Sequence, residues 1–191
     1  MIATPTRRTA KARVLRLHDS ATPEQVVDGV TWYPKAHNVG RRVAYRLGLP
    51  TVYGCGVVAA LSPRNPWPNN IQQALALAEG ETITGLSANI DKAMLIAAGH
   101  HPDNVLSGPK VIPFHDNCYR PATSLAITAD VWCSKTIFSP DTPAKLIEAW
   151  LKRKGSHAFI ADVYTAAAAE RDRLGLVMQA INWGVIRGSA D

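Results

Sequence analysis

An all-α fold is predicted by three features of this 191-residue sequence. Apolar residues recur at helical spacing in segment after segment. Helix-start and helix-stop residues bracket those segments. No apolar/polar alternation is long enough to make a half-buried strand. Hydrophobic residues make up 47% of the chain, enough for a packed core.

Residues 1–13 are basic and polar and read as a flexible arm that could touch phosphates. Thr22-Pro23-Glu24 begins a helix: a capping hydroxyl, a proline in the first turn, and an acid near the positive helix end. Pro34 is expected to end or bend it, with a second helix over 36–47 stopping at Gly48. Residues 52–61 are apolar and rich in small side chains (Gly54, Gly56, Ala59, Ala60), so they read as a buried helix whose neighbours approach closely. A buried strand is the alternative for so short an apolar run. Ile71, Ala74, Leu75 and Ala78 make an amphipathic stripe over 69–79. Ser87 is expected to cap the next helix, which ends at Gly99. Short helices follow over 102–106 and 109–119. Asp130 starts another, Asp141 or Thr142 a further one, and helices over 159–173 and 176–186 close the chain.

The 21 Lys and Arg against 15 Asp and Glu give a formal net charge of +6, which favours a polyanionic partner, DNA or RNA. Three cysteines, Cys55, Cys118 and Cys133, form no CxxC pair. That count argues against a disulfide framework and excludes a four-cysteine iron–sulfur cluster. His115 and Cys118 lack the second ligand pair of a standard zinc site, so neither metal nor cofactor is expected. No apolar run reaches the ~20 residues of a membrane span, and the first residues have no hydrophobic leader core. A cytoplasmic protein without a membrane partner is the expectation.

Chemistry concentrates in two segments. Ser107-Gly108-Pro109-Lys110 places a tight turn at Gly108 and a helix start at Pro109, with Lys110 in its first turn. Backbone N–H groups at such a start suit a DNA phosphate. Asp130 follows the apolar run Leu125-Ala126-Ile127 and precedes a helix over 131–138, where an aspartate serves as a cap.

Glycine-x-lysine opening a helix, then an apolar run and an aspartate twenty residues after the lysine, resembles the helix-hairpin-helix (HhH-GPD) DNA glycosylase superfamily, endonuclease III in particular. Two further segments resemble it in the same order. Leu61-Ser62-Pro63-Arg64 is similar to the loop that fills the space of the extruded base. Gly85-Leu86 with Asp91-Lys92-Ala93 is similar to the helix leading to the hairpin. The likeness covers roughly residues 52–138. The tail, Gln179-Ala180-Ile181-Asn182-Trp183 with Arg187-Gly188, resembles small glycosylase-like proteins of actinobacteria and their phages. The pattern departs at Leu106, where the family's hairpin has glycine, and at Trp132, where it has histidine after the aspartate.

The resemblance implies a two-lobed helical fold, with one lobe over 48–138 containing the hairpin and a second pairing 14–47 with 139–191. It implies base excision from DNA, with Lys110 as the Schiff-base nucleophile of a combined glycosylase and lyase. Asp130 would stabilise positive charge on the sugar. Arg64 or Asn65 would fill the gap left by an extruded base. Ser107 and Gly108 would meet phosphate. Trp132, Trp67, Phe114 and Tyr119 are candidate walls of the base pocket. Three other functions fit the same pattern: a DNA-binding protein that kept the fold and lost the chemistry, an enzyme of base hypermodification, and a phage-type factor that binds a protein target.

Overall fold

A computed structural model describes residues 2–139 and 141–188 of the chain. Met1, Pro140 and residues 189–191, which belong to the predicted arm and second lobe, lie outside the described residues. Helices and no strand occur among the described residues. They are α1 (Arg7–Asp19), α2 (Pro23–Leu47), α3 (Thr51–Leu61), α4 (Trp67–Ala78), α5 (Ser87–Ala97), α6 (Pro102–Val105), α7 (Val111–Tyr119), α8 (Val131–Phe138), α9 (Ala144–Leu151), α10 (Ser156–Ala169) and α11 (Gly175–Arg187). The run over 52–61 is therefore a helix and not a strand.

The chain forms two compact units, one of Met1–Tyr33 with Thr123–Asp191, the other of Pro34–Ala122. These bounds correct the predicted lobes at both edges. The second half of α2 packs on α3 so closely that it belongs with the central unit. Segment 123–138 goes with the terminal unit, because α8 packs against α1, α10 and α11.

In the central unit α3 is the axis, packed against α4, α5, α6 and α7. Residues 54–61 are all buried. A Cβ on Gly40 would stand 2.4 Å from Cys55 Sγ, and one on Gly56 2.6 Å from Pro102 Cγ, so hydrogen side chains set these helix separations. α5 ends as predicted, with a Schellman turn: Gly99 takes φ +96°, its N–H bonds Ile96 O at 3.0 Å, and His100 N–H bonds Leu95 O at 3.1 Å. Its start differs, since the cap position is Leu86, without a side-chain bond, and Ser87 is the first helical residue.

In the terminal unit one core joins Val14 of α1, Cys133 and Ile137 of α8, Trp150 of α9, Tyr164 of α10 and Met178 of α11. The predicted arm is mostly helix here. Thr6 Oγ1 accepts from Thr9 N–H at 3.2 Å to cap α1, and Ala10 and Val14, four residues apart, are fully buried. Asn182 Nδ2 donates to Val14 O at 3.0 Å, and Arg13 Nη1 to Ile137 O at 2.9 Å, fixing the helix on α11 and α8.

The start of α2 is a capping box: Gln25 N–H bonds Thr22 Oγ1 at 3.3 Å and Gln25 Oε1 accepts from Thr22 N–H at 2.9 Å. Pro34 does not end this helix. The lost N–H bond is offset by anchors on either side, with Tyr33 and Ala36 buried and Tyr33 Oη donating to Gln179 Oε1 at 2.9 Å.

All three cysteines are free and buried; burial pushes the Cys55 thiol up to about 12 and raises the other two as well. No single helix among the described residues is long and apolar enough to cross a membrane. α2 and α3 together meet that test as a bent pair, and the apolar part of α3 is core.

Candidate functional site

Asp130 stands where its local sequence places it. Its backbone is extended, with φ −136° and ψ −173°, and its Oδ1 accepts from Trp132 N–H and Cys133 N–H, both at 2.9 Å. The carboxylate is held in place by the two amides whose bonds would otherwise be missing at a helix start. Both bonds fall on Oδ1; among the described residues Oδ2 takes none.

Alanine at this position is expected to cost about 1 kcal/mol of stability, the usual worth of a lost N-cap. Asp130→Asn keeps an accepting oxygen and should unfold within a few tenths of a kcal/mol of the unsubstituted protein. Denaturant unfolding of both variants checks this, and equal losses in the two would show that the cap is not what Asp130 contributes.

Lys110 occupies the N-cap position of α7, half-buried, so the helix starts at Val111 and not at Pro109. The turn before it is the predicted one. Gly108 has φ +97°, a backbone that glycine adopts freely, and Gly108 O accepts from Ile112 N–H at 3.3 Å. Lys92 Nζ of α5 donates to Ser107 Oγ at 2.6 Å, which sets a second ammonium group beside the turn. Leu106, in place of the family's glycine, is buried and its N–H bonds Pro102 O at 2.8 Å.

In the same unit the loop over 62–66 opens on a cleft of about 270 Å³, lined among others by Arg64, Asn65, Asn69, Gln73 and Asn89. Arg64 is exposed and takes φ +57°, a left-handed backbone that costs a non-glycine residue of order 1 kcal/mol. Carboxamides hold the loop: Asn69 Nδ2 donates to Asn65 Oδ1 at 2.7 Å, Asn65 Nδ2 to Gln73 Oε1 at 3.0 Å, and Asn89 Nδ2 to Pro63 O at 3.2 Å. Asn69, Gln73 and Asn89 are absent from the sequence expectation; their spacing along α4 and α5 carries no motif, so only the fold exposes the relay.

The four predicted pocket aromatics do not form one group within either unit. Phe114 is 7% exposed and belongs to the core of the central unit, which corrects its expected place in a pocket wall. Tyr119, 39% exposed, stacks at 6.3 Å on His115. Trp67 is the half-buried first residue of α4. Trp132 lies in the terminal unit with Asp130. Its ring has the Lys135 ammonium at 4.9 Å and the Arg187 guanidinium at 5.4 Å. Arg187 also stands 4.5 Å from Trp183, which stacks on Trp32 with centroids 5.5 Å apart and planes at 29°. Trp32 and Lys135 likewise carried no signal in sequence, because residues from α2, α8 and α11 meet only on folding.

Among the described residues no group of three or more His, Cys, Asp or Glu is placed to hold a metal. His115 is already used, with Nε2 3.1 Å from Val52 O, and burial lowers its pKa from the usual histidine value.

Over residues 1–190 the chain matches DUF7178, a family of unknown function, and it belongs to that family. No curated protein and no solved structure matches it.

Proposed function

We propose that this DUF7178 member acts on DNA and excises a damaged or modified base, with Lys110 and Asp130 as its catalytic residues. The observation that supports this is the local build of two segments in the order the glycosylase resemblance requires. A positive-φ glycine opens α7 with Lys110 at its cap, and Asp130 caps α8 through Oδ1 alone. The net charge of +6 supplies the general attraction to phosphate.

In this chemistry the neutral amine of Lys110 attacks C1′ of the deoxyribose. The C1′–N bond to the base breaks, its electron pair leaves with the base, and the base takes up a proton. Asp130 stabilises the positive charge that develops on the sugar. Ring opening converts the adduct to an imine, and loss of the 3′ phosphate by β-elimination nicks the strand. Arg64, at the exposed tip of its loop, is the residue that fills the place of the extruded base.

Borohydride trapping tests this. The protein is incubated with labelled duplexes carrying an abasic site or a panel of altered bases, then reduced. A covalent band is expected, and its complete loss in Lys110→Ala. No band on any duplex removes Lys110 as nucleophile. A second reading, DNA binding without base release, is favoured by the buried Leu106 and by Trp132 in place of histidine. It predicts a salt-dependent gel shift with no trapped band. Absence of both band and shift would leave a protein-binding role.

A further inference from the structure

The terminal unit carries five side chains in layers: Trp32, Trp183, Arg187, Trp132 and Lys135. The Trp32 and Trp183 rings are offset-stacked at 5.5 Å. Arg187 lies against both Trp183, at 4.5 Å, and Trp132, at 5.4 Å, and Lys135 lies against Trp132 at 4.9 Å. Trp183 and Arg187 are four apart on α11, Trp132 and Lys135 three apart on α8, so each tryptophan shares a helix face with its cation. All three indoles remain half-buried, and Arg187 is exposed.

Packing alone does not require this arrangement. The core of this unit is closed by other residues, Trp150 and Tyr164 among them. Flat π faces that alternate with cations match one kind of polymer, in which flat bases alternate with phosphates. In a duplex the base faces are covered by their neighbours and only edges are offered, so the matching form is unpaired.

We infer that this ladder is a stacking platform for single-stranded nucleic acid, either an unpaired strand or the unpaired stretch beside a processed site. Bases stack on the indoles of Trp183 and Trp132. Arg187 and Lys135 pair with the flanking phosphates. The inference shares its nucleic-acid partner with the proposed function but needs neither Lys110 nor base excision.

The test uses the full chain and two oligomers of about twelve units, a size within the range such sites cover. One is oligothymidylate. The other has the same sugar–phosphate backbone without bases. Binding is followed by anisotropy of an end label and by quenching of tryptophan fluorescence. Oligothymidylate is expected to bind and quench saturably, and the baseless oligomer to bind at least about fivefold more weakly. Trp183→Ala should weaken oligothymidylate by at least about fivefold, with Trp183→Phe recovering most of the loss. Arg187→Glu, at an exposed position, should weaken both oligomers. Equal binding of the two oligomers, or unchanged oligothymidylate binding by Trp183→Ala or Arg187→Glu, would overturn the platform. Circular dichroism shows whether each variant is folded; if Trp183→Ala is not, Trp183→Phe and Arg187→Glu with the two oligomers still decide. A trapped band on lesion duplexes without oligothymidylate binding would sink the platform and leave base excision standing; the reverse result would do the opposite.

Discussion

Gly54→Ala is expected to destabilise the protein by about 3 kcal/mol, the upper end of what overpacking costs, and to lower Tm by roughly 10 °C for a chain of this size. The added Cβ would stand 2.0 Å from Gly40 O, 2.6 Å from Ala44 N and 2.9 Å from Ala44 Cβ. The two nearest of these atoms are backbone, so no side-chain rotation relieves the clash. α2 and α3 would have to separate, and with them the contact of Gly40 on Cys55. Gly184→Ala is the control. It is the same change inside α11, where a Cβ meets nothing within 4 Å, and it should stabilise by about 0.5–1 kcal/mol through the lower backbone entropy of alanine. Thermal unfolding followed by circular dichroism compares the two. A Gly54→Ala protein that melts with the unsubstituted one would show that the helices are not in contact there.

Trp150→Ala is expected to cost about 3–5 kcal/mol, the range for truncating a buried large aromatic. Trp150 is 2% exposed. It meets Phe138 edge-to-face at 4.9 Å and Phe159 at 6.1 Å. Its indole N–H donates to Thr4 Oγ1 at 2.8 Å, which ties the segment before α1 to α9. Trp150→Phe should recover most of the loss, short by the hydrogen bond, worth about 1 kcal/mol. Urea unfolding of both variants is the measurement. A loss below 1 kcal/mol for alanine would mean that this core does not close around α9.

Where structure depends on a few neighbouring residues, the sequence was enough. Thr22-Pro23-Glu24 marked the start of α2, Gly99 the end of α5, and Asp130 the cap of α8, and each stands where its local chemistry put it. The small residues of 52–61 announced close helix packing, and Gly54 and Gly56 provide it. In each case the deciding groups lie within one or two turns, and the hydrogen bond or steric contact that decides is short-range.

Elsewhere the outcome rested on distant partners. Pro34 would break an isolated helix, yet α2 continues through it because Tyr33, bonded to Gln179, and Ala36 are buried on either side. Residues 7–13 read as an arm because they are basic, but Ala10 and Val14 find a core built from α8, α10 and α11. Phe114 looked available for a pocket and was taken by the core.

For the candidate site the division is the same. Lys110, Gly108 and Asp130 were legible because a turn glycine and a cap aspartate leave local signatures. The carboxamide relay around Arg64 and the tryptophan ladder on α2, α8 and α11 were not. The sequence by itself determined the helical class and most of the caps and turns, since those depend on groups a few residues apart. Only tertiary structure decided which helices form which unit and which aromatic faces stay in reach of solvent, since burial is shared among residues more than a hundred positions apart, as Trp32 and Trp183 are.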